Sequence, residues 1–545
     1  MATTASYSNH NGHDNIIRPR ALRPANPLVF RAQSDDLKLN SMAETRSGTS
    51  SGRSTPIPHD APPSAKFKSS ARKQMRAQQK HRIFPTVNYS ARVSHFDPKS
   101  DYSNFRGFFV LFWIGLAIMV ITTMLRNIKE TGLPIRVRPW ALLTANTWQL
   151  GLSDLAMVVS TGFSVTLQKM FQKSNGFLRW SRAGMPIHSI FEALWLMLWI
   201  NWPFMLHWKW TAQVFFTLHT IVLLMKMHSY AFYCGHLSTT EKRLSALDNP
   251  ETASTAAAVR YPTSSSDLND IDETKEDVDA TKAEALAQLR EDLALELTSP
   301  LGSITYPQNL THANYTDYIL CPTLCYELEY PRTEKTQWAE LFYKTLAIFG
   351  CIFLLTVTSE EFIVPVLNES AVRLEGVTKL VDIGLILAEG ISLLLFPFMV
   401  TFLLVFLVIF EYVLGAFAEI TRFADRHFYS DWWNSCDWLE FSREWNVPVH
   451  NFLRRHVYGA SLPYVSRSVA MGLTFFTSAI LHELVMGCIT KKLRGYGFVA
   501  MMLQLPIVAL QRSPLIRGRT LFNNVCFWIS MILGLSGMCA LYVLI

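Results

Sequence analysis

Charged side chains are scarce in this sequence. Asp, Glu, Lys and Arg make up 17% of its 545 residues, and the mean hydropathy is +0.16. A soluble protein of this length would carry roughly 25% charged residues. The apolar residues are gathered into runs of roughly 20, the length a helix needs to cross the hydrocarbon core of a bilayer. The composition therefore excludes a string of soluble domains and predicts an all-α, polytopic membrane protein.

The chain also lacks a basic surface outside its first hundred residues. Its formal net charge is +7, and residues 1–101 alone hold 16 Lys and Arg against 7 Asp and Glu. The remainder is close to neutral, which speaks against a nucleic-acid partner. The first segment has too few large apolar residues to offset the entropy lost on ordering. We expect residues 1–105 to form a disordered, basic tail in the cytosol beside membrane lipid.

Cysteine is sparse too, and its spacing does not suit a zinc site. Most of the eight cysteines lie in or beside apolar runs, where a free thiol packs as a small hydrophobic group. Cys321 and Cys325 are four residues apart with no second Cys or His pair nearby. No metal and no cofactor are expected. No secretory signal peptide opens the chain, so we expect the first apolar run to act as an internal anchor.

Residues 106–545 contain nine apolar segments that we predict to span the membrane. The sixth is too long for an upright span and must tilt or kink, with Pro397 as a candidate position. The predicted spans are residues 108–125, 148–171, 187–206, 211–233, 341–366, 383–414, 469–488, 498–510 and 521–545.

Two long polar connections separate these spans. We predict that residues 235–337 form a cytosolic linker with one amphipathic helix near residues 280–297, and that residues 419–466 form a cytosolic catalytic connection. With the tail in the cytosol, nine spans place both connections on the same side. Residues 490–497 would then face the other side despite their three basic side chains. A re-entrant eighth segment or an interfacial position would each resolve that conflict.

His482 and Glu483 stand out inside an otherwise apolar segment. Ionisable residues at membrane depth are energetically expensive and usually mark a functional site. Met486 occupies the place where a His-Glu-x-x-His zinc motif needs its second histidine. A neutral imidazole suits proton abstraction from a lipid hydroxyl, and Asn446 is a plausible donor to the resulting oxyanion. The alternatives are a His482 that hydrogen-bonds a neighbouring helix and an Asn446 that caps a helix.

A second feature is the run FYSDWWN at residues 428–434. Its large aromatic side chains are typical of an anchor at the membrane interface, and we interpret Asp431 as holding the loop together. The surrounding connection is basic, which suits the phosphates of a CoA nucleotide but equally a positive cytosolic loop. The residues that we count toward this basic character are Arg443, Arg454, Arg455, His456 and Arg467.

These runs resemble the membrane-bound O-acyltransferase (MBOAT) family, which includes sterol and diacylglycerol O-acyltransferases. Residues 428–434 match its FYxDWWN signature, carried here by Phe428, Tyr429, Asp431, Trp432, Trp433 and Asn434. Residues 225–232, 322–333, 445–450 and 478–483 are also similar to the family. Within it, residues 329–333, 452–458, 482–485, 502–506 and 517–520 resemble the fungal sterol O-acyltransferases. The likeness covers roughly residues 108–545 and omits much of the acidic linker.

The resemblance implies a fold of about nine transmembrane helices around a central catalytic chamber. It implies that His482 is the catalytic base and Asn446 the second catalytic-site residue. The residues that it places along the acyl-CoA tunnel are Arg443, Trp445, His450, Tyr458, Arg467 and Ser478. It further implies a multi-pass protein of the endoplasmic reticulum membrane that forms homodimers or homotetramers.

We therefore expect the chain to transfer a fatty acyl group from acyl-CoA to the 3-hydroxyl of a sterol from the bilayer, with ergosterol as the fungal acceptor. The products would be CoA and a steryl ester for neutral-lipid storage. One alternative is the same chemistry on diacylglycerol, although Leu484 stands where many diacylglycerol enzymes have an aromatic residue. Others are a lipid or ion transporter using Asp154, Glu389 and His482, or a silent lipid-binding scaffold. We find no internal repeat of the kind that many transporters show.

Overall fold

The computed structural model describes residues 84–96, 106–134, 146–248, 275–300, 302–514, 516 and 518–544. Helices dominate this part of the chain, where only isolated β-bridges accompany them. The prediction of an all-α membrane protein is confirmed. In chain order the α-helices are α1 Arg106–Thr131, α2 Thr147–Thr161, α3 Phe163–Lys173, α4 Met185–Met205, α5 Trp210–Asp248, α6 Lys275–Glu296, α7 His312–Leu320, α8 Trp338–Thr358, α9 Val364–Leu374, α10 Leu380–Phe406, α11 Leu414–Thr421, α12 Trp438–Glu444, α13 Val447–Leu453, α14 Gly459–Ser461, α15 Arg467–Thr490, α16 Tyr496–Gln511 and α17 Thr520–Leu544.

Eight helical segments of the described chain are long and apolar enough to cross a membrane. They are Phe109–Thr131, Thr147–Lys173, Trp180–Met205, Trp210–Leu247, Trp338–Leu374, Leu380–Thr421, Arg467–Thr490 and Thr520–Leu544. Eight of the nine predicted spans fall on these segments. The remaining one, residues 498–510, falls on α16, whose 16 residues are fewer than the roughly 20 that an upright span needs.

The overlong sixth span departs from α-helical geometry, but not at its proline. Pro397 is buried inside α10 without ending it. The helix instead widens into a π-helical segment at Leu407–Val413 before α11 continues it. That segment turns Glu411 inward, where its carboxylate accepts from Ser94 Oγ at 2.6 Å and lies 3.3 Å from Lys344 Nζ. Proline composition alone did not indicate this position, because the polar partners are remote in sequence.

Helix α5 runs well past the predicted end of the fourth span at residue 233. It continues to Asp248, so the first residues of the predicted linker 235–337 are helical. His236 Nε2 lies 3.2 Å from Glu296 Oε1 on α6, which gives this polar extension a buried partner. Gly235 is required there, because a Cβ atom would lie 2.0 Å from the ring of Trp180. The sequence hid the extension because its stabilising contacts are polar.

The rest of that linker packs into the protein through tyrosines. Residues 306–330 contribute several buried rings to the largest hydrophobic core, which also contains Tyr230 and Tyr233 of α5. Lys226 on α5 is buried there and donates to three backbone carbonyls at the end of α7, including that of Cys321 at 2.6 Å. Arg455 forms a buried ion pair with Glu327 at 2.9 Å. These contacts join the linker to α5 and to the connection before α15.

Residues 84–96, which we name the N-terminal strap, correct the predicted tail boundary at residue 105. Arg92 donates from Nε and Nη2 to the buried carboxylate of Asp425, at 2.8 and 2.6 Å. The N–H of Arg92 donates to Ala424 O, and the N–H of Val87 donates to Glu327 Oε1 at 2.9 Å. Composition did not indicate the strap, because the strap donates hydrogen bonds to buried carboxylates of other segments and forms no hydrophobic core of its own.

Candidate active site

The imidazole of His482 is held by its own helix. Nδ1 lies 2.8 Å from the backbone carbonyl of Ser478, one turn earlier on α15, and 3.5 Å from the hydroxyl of Ser478. A carbonyl can only accept, so this bond assigns the proton to Nδ1 and leaves Nε2 as an acceptor. The side chain is exposed, so Nε2 is accessible to a reacting molecule. Within the described chain no carboxylate pairs with this ring.

One face of α15 carries three of the predicted site residues. Arg467, Ser478 and His482 recur at helical spacing, with Met471 between them. The face runs about 22 Å along the helix axis from Arg467 at the helix start to His482. The opposite face carries exposed Val469, Leu473, Phe476 and Ile480, as a lipid-facing surface would. The predicted tunnel residues on α15 therefore lie on the same side as His482.

Helix α15 shares a hydrophobic cluster with α13, which follows Asn446. Leu481 and Val485, which flank His482 on α15, join one hydrophobic cluster with Val449 and Leu453 of α13. That cluster also contains Ile221 and Met225 of α5 and Cys325 of the linker. The sequence-distant segments that carry Asn446 and His482 are thus neighbouring parts of one packed unit.

Asn446 is the N-cap residue of α13. Its Oδ1 accepts from the N–H of Val449 at 3.1 Å, so the capping alternative describes part of its role. The bond also fixes the orientation of the amide, since the oxygen must face the helix. The amide Nδ2 remains as a donor pointing away from the cap. Capping and donation to an oxyanion are therefore compatible in one side chain.

The FYSDWWN motif lies directly against the segment that carries Asn446. The N–H of Val447 donates to Phe428 O at 3.0 Å, and the N–H of Ser430 donates to Glu444 O at 2.8 Å. These two bonds bracket Asn446 on both sides in sequence. The motif thereby holds the backbone on both sides of the candidate oxyanion donor.

The aromatic residues of the motif are internal, which corrects our interpretation of an interfacial anchor. Trp432 is 2% exposed, and its ring contacts those of Phe406 and Trp445 at centroid distances of 5.0 and 4.9 Å. Trp445 also stacks on Phe402 at 4.6 Å. Aromatic pairs at these distances stabilise a core beyond their buried area. Trp445, predicted to line the tunnel, has its ring in this core.

The polar members of the motif hold the loop, as we interpreted for Asp431. His95 of the strap lies 3.3 Å from Asp431 Oδ1. Tyr429 donates its hydroxyl to Glu411 at 3.2 Å. Asn434 is exposed, and the carbonyl of Trp433 accepts from Asn524 of α17 at 3.0 Å. The motif therefore connects the strap, the π-helical segment and the last helix.

Some basic residues of the connection lie at its surface and others lie in its interior. Arg443 is exposed, and its Nε donates to Leu439 O. Burial, and then the charges of Arg454 and Arg443, lower the pKa of His450 to about 4, so His450 is neutral at pH 7. It stands beside two arginines without adding charge. Arg443 and Arg454 are therefore the groups near His450 that carry positive charge.

Two residues that we counted as basic surface belong to the interior. Arg455 is buried against Glu327. Burial lowers the pKa of His456 well below its usual value, and its Nε2 lies 2.8 Å from Ser229 Oγ. Tyr458 is half-buried at the end of the π-helical segment Arg454–Tyr458. The prediction treated sequence neighbours as one surface, whereas the consecutive side chains of Arg455 and His456 both have interior partners.

The three residues of the transporter alternative are placed apart with separate partners. Asp154 lies 2.6 Å from His219 Nδ1, between α2 and α5. Glu389 on α10 pairs with Arg373 of α9 at 2.7 Å. Neither pair includes His482. Within the described part of the chain, no three His, Cys, Asp or Glu side chains are grouped as a metal site would need.

Residues 192–544 match the sequence model of the MBOAT, membrane-bound O-acyltransferase, family. The matched range is more than half of the chain and contains every predicted site residue. The chain belongs to the membrane-bound O-acyltransferase family. It is therefore an acyltransferase with several membrane-crossing helices, and His482 lies within the residues that match the family model.

Curated members of the family extend the match toward the strap and α1. A probable sterol O-acyltransferase 2 of Schizosaccharomyces pombe is 38% identical over 444 residues, 81% of this chain and 87% of the relative. The sterol O-acyltransferase 2 of Saccharomyces cerevisiae is 35% identical over 464 residues, 84% of this chain and 69% of the relative. The diacylglycerol O-acyltransferase 1 of Dictyostelium discoideum is 37% identical over 236 residues, 43% of this chain and 37% of that protein.

Proposed function

We propose that this membrane-bound O-acyltransferase moves a fatty acyl group from acyl-CoA to the 3-hydroxyl of a sterol. The observation that carries the proposal is the state of His482, whose Nδ1 proton is held by Ser478 O while Nε2 is left to accept. Relatives named as sterol O-acyltransferases align over four fifths of the chain, whereas the diacylglycerol relative aligns over less than half. The longer alignments with sterol O-acyltransferases favour a sterol over diacylglycerol as the acceptor.

In the proposed reaction, His482 Nε2 removes the proton of the sterol hydroxyl as its oxygen attacks the thioester carbonyl. The carbon–oxygen ester bond forms, and the oxyanion of the tetrahedral intermediate accepts from the Asn446 amide. The carbon–sulfur bond then breaks, and His482 returns its proton to the CoA thiolate. The products are a steryl ester and CoA. Acyl-CoA is a substrate, and the scheme uses neither a metal nor a cofactor.

The acyl-CoA is proposed to enter from the cytosolic side. Exposed Arg443 before α13, Arg454 at the end of α13 and Arg467 at the start of α15 supply positive charge for its phosphates. The face of α15 from Arg467 to His482 then gives the pantetheine and thioester a path of about 22 Å into the bundle. By the same family likeness, we place the protein in the endoplasmic reticulum membrane with its tail cytosolic, as a homodimer or homotetramer.

A competition assay tests the proposal. Labelled oleoyl-CoA is supplied to membranes that lack host acyltransferases, with ergosterol and diacylglycerol present together and a His482→Ala variant assayed beside the full chain. Labelled steryl ester from the full chain and none from the variant is the expected result. Labelled triacylglycerol in its place would keep the chemistry and overturn the acceptor. Transfer that persists in the variant would remove His482 from the mechanism.

A further inference from the structure

Glu483, the residue after the candidate base, binds two other helices. Its Oε1 accepts from the N–H of Gly495 at 2.7 Å. Its Oε2 accepts from the N–H of Phe498 at 3.2 Å and from the hydroxyl of Tyr542 at 2.6 Å. The first turn of α16 has no intrahelical partners for its N–H groups, and a carboxylate at that end is favoured by the helix dipole. Glu483 thus fixes α15 to α16 and α17.

Tyr542 completes this arrangement from the last helix. Its ring is 1% exposed and lies edge-on to Tyr496 at 5.4 Å. Its hydroxyl donates to Glu483 and accepts from the N–H of Gly497 at 3.0 Å. Both of these hydrogen bonds are directed at the junction of α15 and α16. A buried tyrosine could pack without these two hydrogen bonds, so their presence indicates a role for the hydroxyl.

Gly497 shows how closely the groups approach. A Cβ atom on this residue would lie 3.1 Å from Glu483 Oε2 and 3.4 Å from the Tyr542 hydroxyl oxygen. The first of these distances is tighter than ordinary van der Waals contact, so a side chain here would displace the carboxylate. Residue 497 must therefore be glycine if Glu483 and Tyr542 are to contact the backbone of α16.

We infer that Glu483 and Tyr542 form a positioning lock that sets the rotation of α15 and thereby the place of His482 Nε2. Consecutive helical residues point about 100° apart, so a lock on Glu483 fixes the direction of His482. At side-chain radius, a helix rotation of about 20° would move the imidazole by about 2 Å. A displacement near 1 Å can lower a reaction rate by about 100-fold. The inference rests on the proposed role of His482 as base.

Tyr542→Phe is the sharpest test, because it removes one hydroxyl and keeps the ring. We expect kcat for steryl ester formation to fall about tenfold, with KM for oleoyl-CoA within about twofold of the full chain. Glu483→Gln, which keeps the shape of the side chain, should lower kcat at least as far. Tyr496→Phe removes a hydroxyl from the neighbouring ring and is the matched control, with kcat expected to stay unchanged.

Gly497→Ala tests the same lock by adding a methyl group next to the Glu483 carboxylate. The added methyl group should displace the Glu483 carboxylate and reproduce the kcat loss of Tyr542→Phe. Gly472→Ala is the matched control on α15, because a Cβ atom there meets nothing within 4 Å. Size-exclusion profiles and melting temperatures of all variants show whether each protein folds, and kcat is expressed per folded molecule.

The outcomes separate the lock from the reaction it serves. A lowered kcat with unchanged KM in Tyr542→Phe, Glu483→Gln and Gly497→Ala supports the lock. A folded Tyr542→Phe protein with near-normal kcat overturns it, as does a loss confined to KM or to the amount of folded protein. His482→Ala is assayed in parallel. If that variant is inactive while Tyr542→Phe is normal, only the lock fails; if it is active, the proposed function fails as well.

Discussion

Helices α5 and α15 both carry histidines within apolar spans, but they partner them differently. On α5, His219, His228 and His236 each lie against a carboxylate of another helix, at 2.6, 3.0 and 3.2 Å. On α15, within the described chain, Nδ1 of His482 contacts Ser478 of its own helix, at the backbone carbonyl and the hydroxyl, and pairs with no carboxylate. The α5 histidines therefore link helices, whereas His482 is oriented without being used as a link.

This difference separates two meanings of a histidine at membrane depth. A ring bound to a carboxylate between helices is the packing role that the sequence left open for His482, and α5 shows what that role looks like. A ring whose second nitrogen remains an accessible acceptor can take a proton from a substrate. The sequence patterns of the two helices do not distinguish these cases, because the partner lies elsewhere in the chain.

The largest expected effect is on His482. His482→Ala should lower kcat by about 1,000-fold or more, since the reaction loses its base, and should leave the melting temperature near that of the full chain. The measurement is steryl ester formation per folded molecule together with a thermal melt. A variant that melts many degrees lower would place His482 with the α5 histidines and break the comparison.

The reverse is expected of His228. It shares the buried Glu192 with His188, so His228→Ala leaves that carboxylate with one imidazole and should lower the free energy of unfolding by about 3 kcal/mol. Turnover per folded molecule should change little. Thermal melts followed by size-exclusion chromatography measure the effect, and His312→Ala, which removes an exposed imidazole, is the control. Full stability with lost turnover would contradict the assignment of His228 to packing.

The strap extends the comparison beyond the spans. Arg92→Ala removes both bonds to the buried carboxylate of Asp425 and should reduce the stability of the protein by about 2 kcal/mol, because bonds to a buried charge are lost. Val93→Ala changes an exposed neighbour in the same strap and should have no measurable effect. Equal melting temperatures of the two variants would mean that the strap does not stabilise the folded chain.

The smallest effect concerns pH. Burial, followed by the nearby Glu440 and Asp431, raises the pKa of Glu444 from 4.5 to about 7. The folded chain then keeps a proton that the unfolded chain has released, so stability declines as pH rises from about 4.5 to about 7 and the loss is complete above that range. Glu444→Gln should therefore melt on the order of 1 °C higher than the full chain at pH 8 and no higher at pH 4. Exposed Glu334→Gln is the control, and a difference that does not change with pH would contradict the assignment.

Much of the fold was predictable because each membrane span is indicated by its own residues, without reference to distant parts of the chain. Runs of apolar residues long enough to cross a bilayer located eight helical segments of the described chain, and His482 was conspicuous because its neighbours are apolar. Capping of α13 by Asn446 was the alternative that the sequence offered to its role as a donor, since Asn is a favoured N-cap residue. In each case the signal lies within a few residues of the feature it predicts.

What the sequence concealed depends on polar partners that are distant in the chain. The strap was assigned to a disordered tail because Arg92 meets Asp425 only in the folded protein. Arg455 and His456 were counted as surface because their partners, Glu327 and Ser229, come from the linker and α5. The tryptophans of FYSDWWN were interpreted as an interfacial anchor, although Trp432 packs on Phe406 of α10. Periodicity and composition do not report such pairs.

The most direct test of the central claim is modification of the histidines with diethyl pyrocarbonate, which acylates neutral, accessible imidazole nitrogens. The modified protein is digested, and the extent of labelling at each histidine is measured by mass spectrometry beside the remaining acyl transfer. We expect activity to fall in step with labelling of His482 and oleoyl-CoA to slow both changes. Hydroxylamine, which removes the ethoxycarbonyl group from the ring, should then restore activity. Activity that is lost while His482 stays unlabelled, or kept when it is fully labelled, would contradict its role as the base.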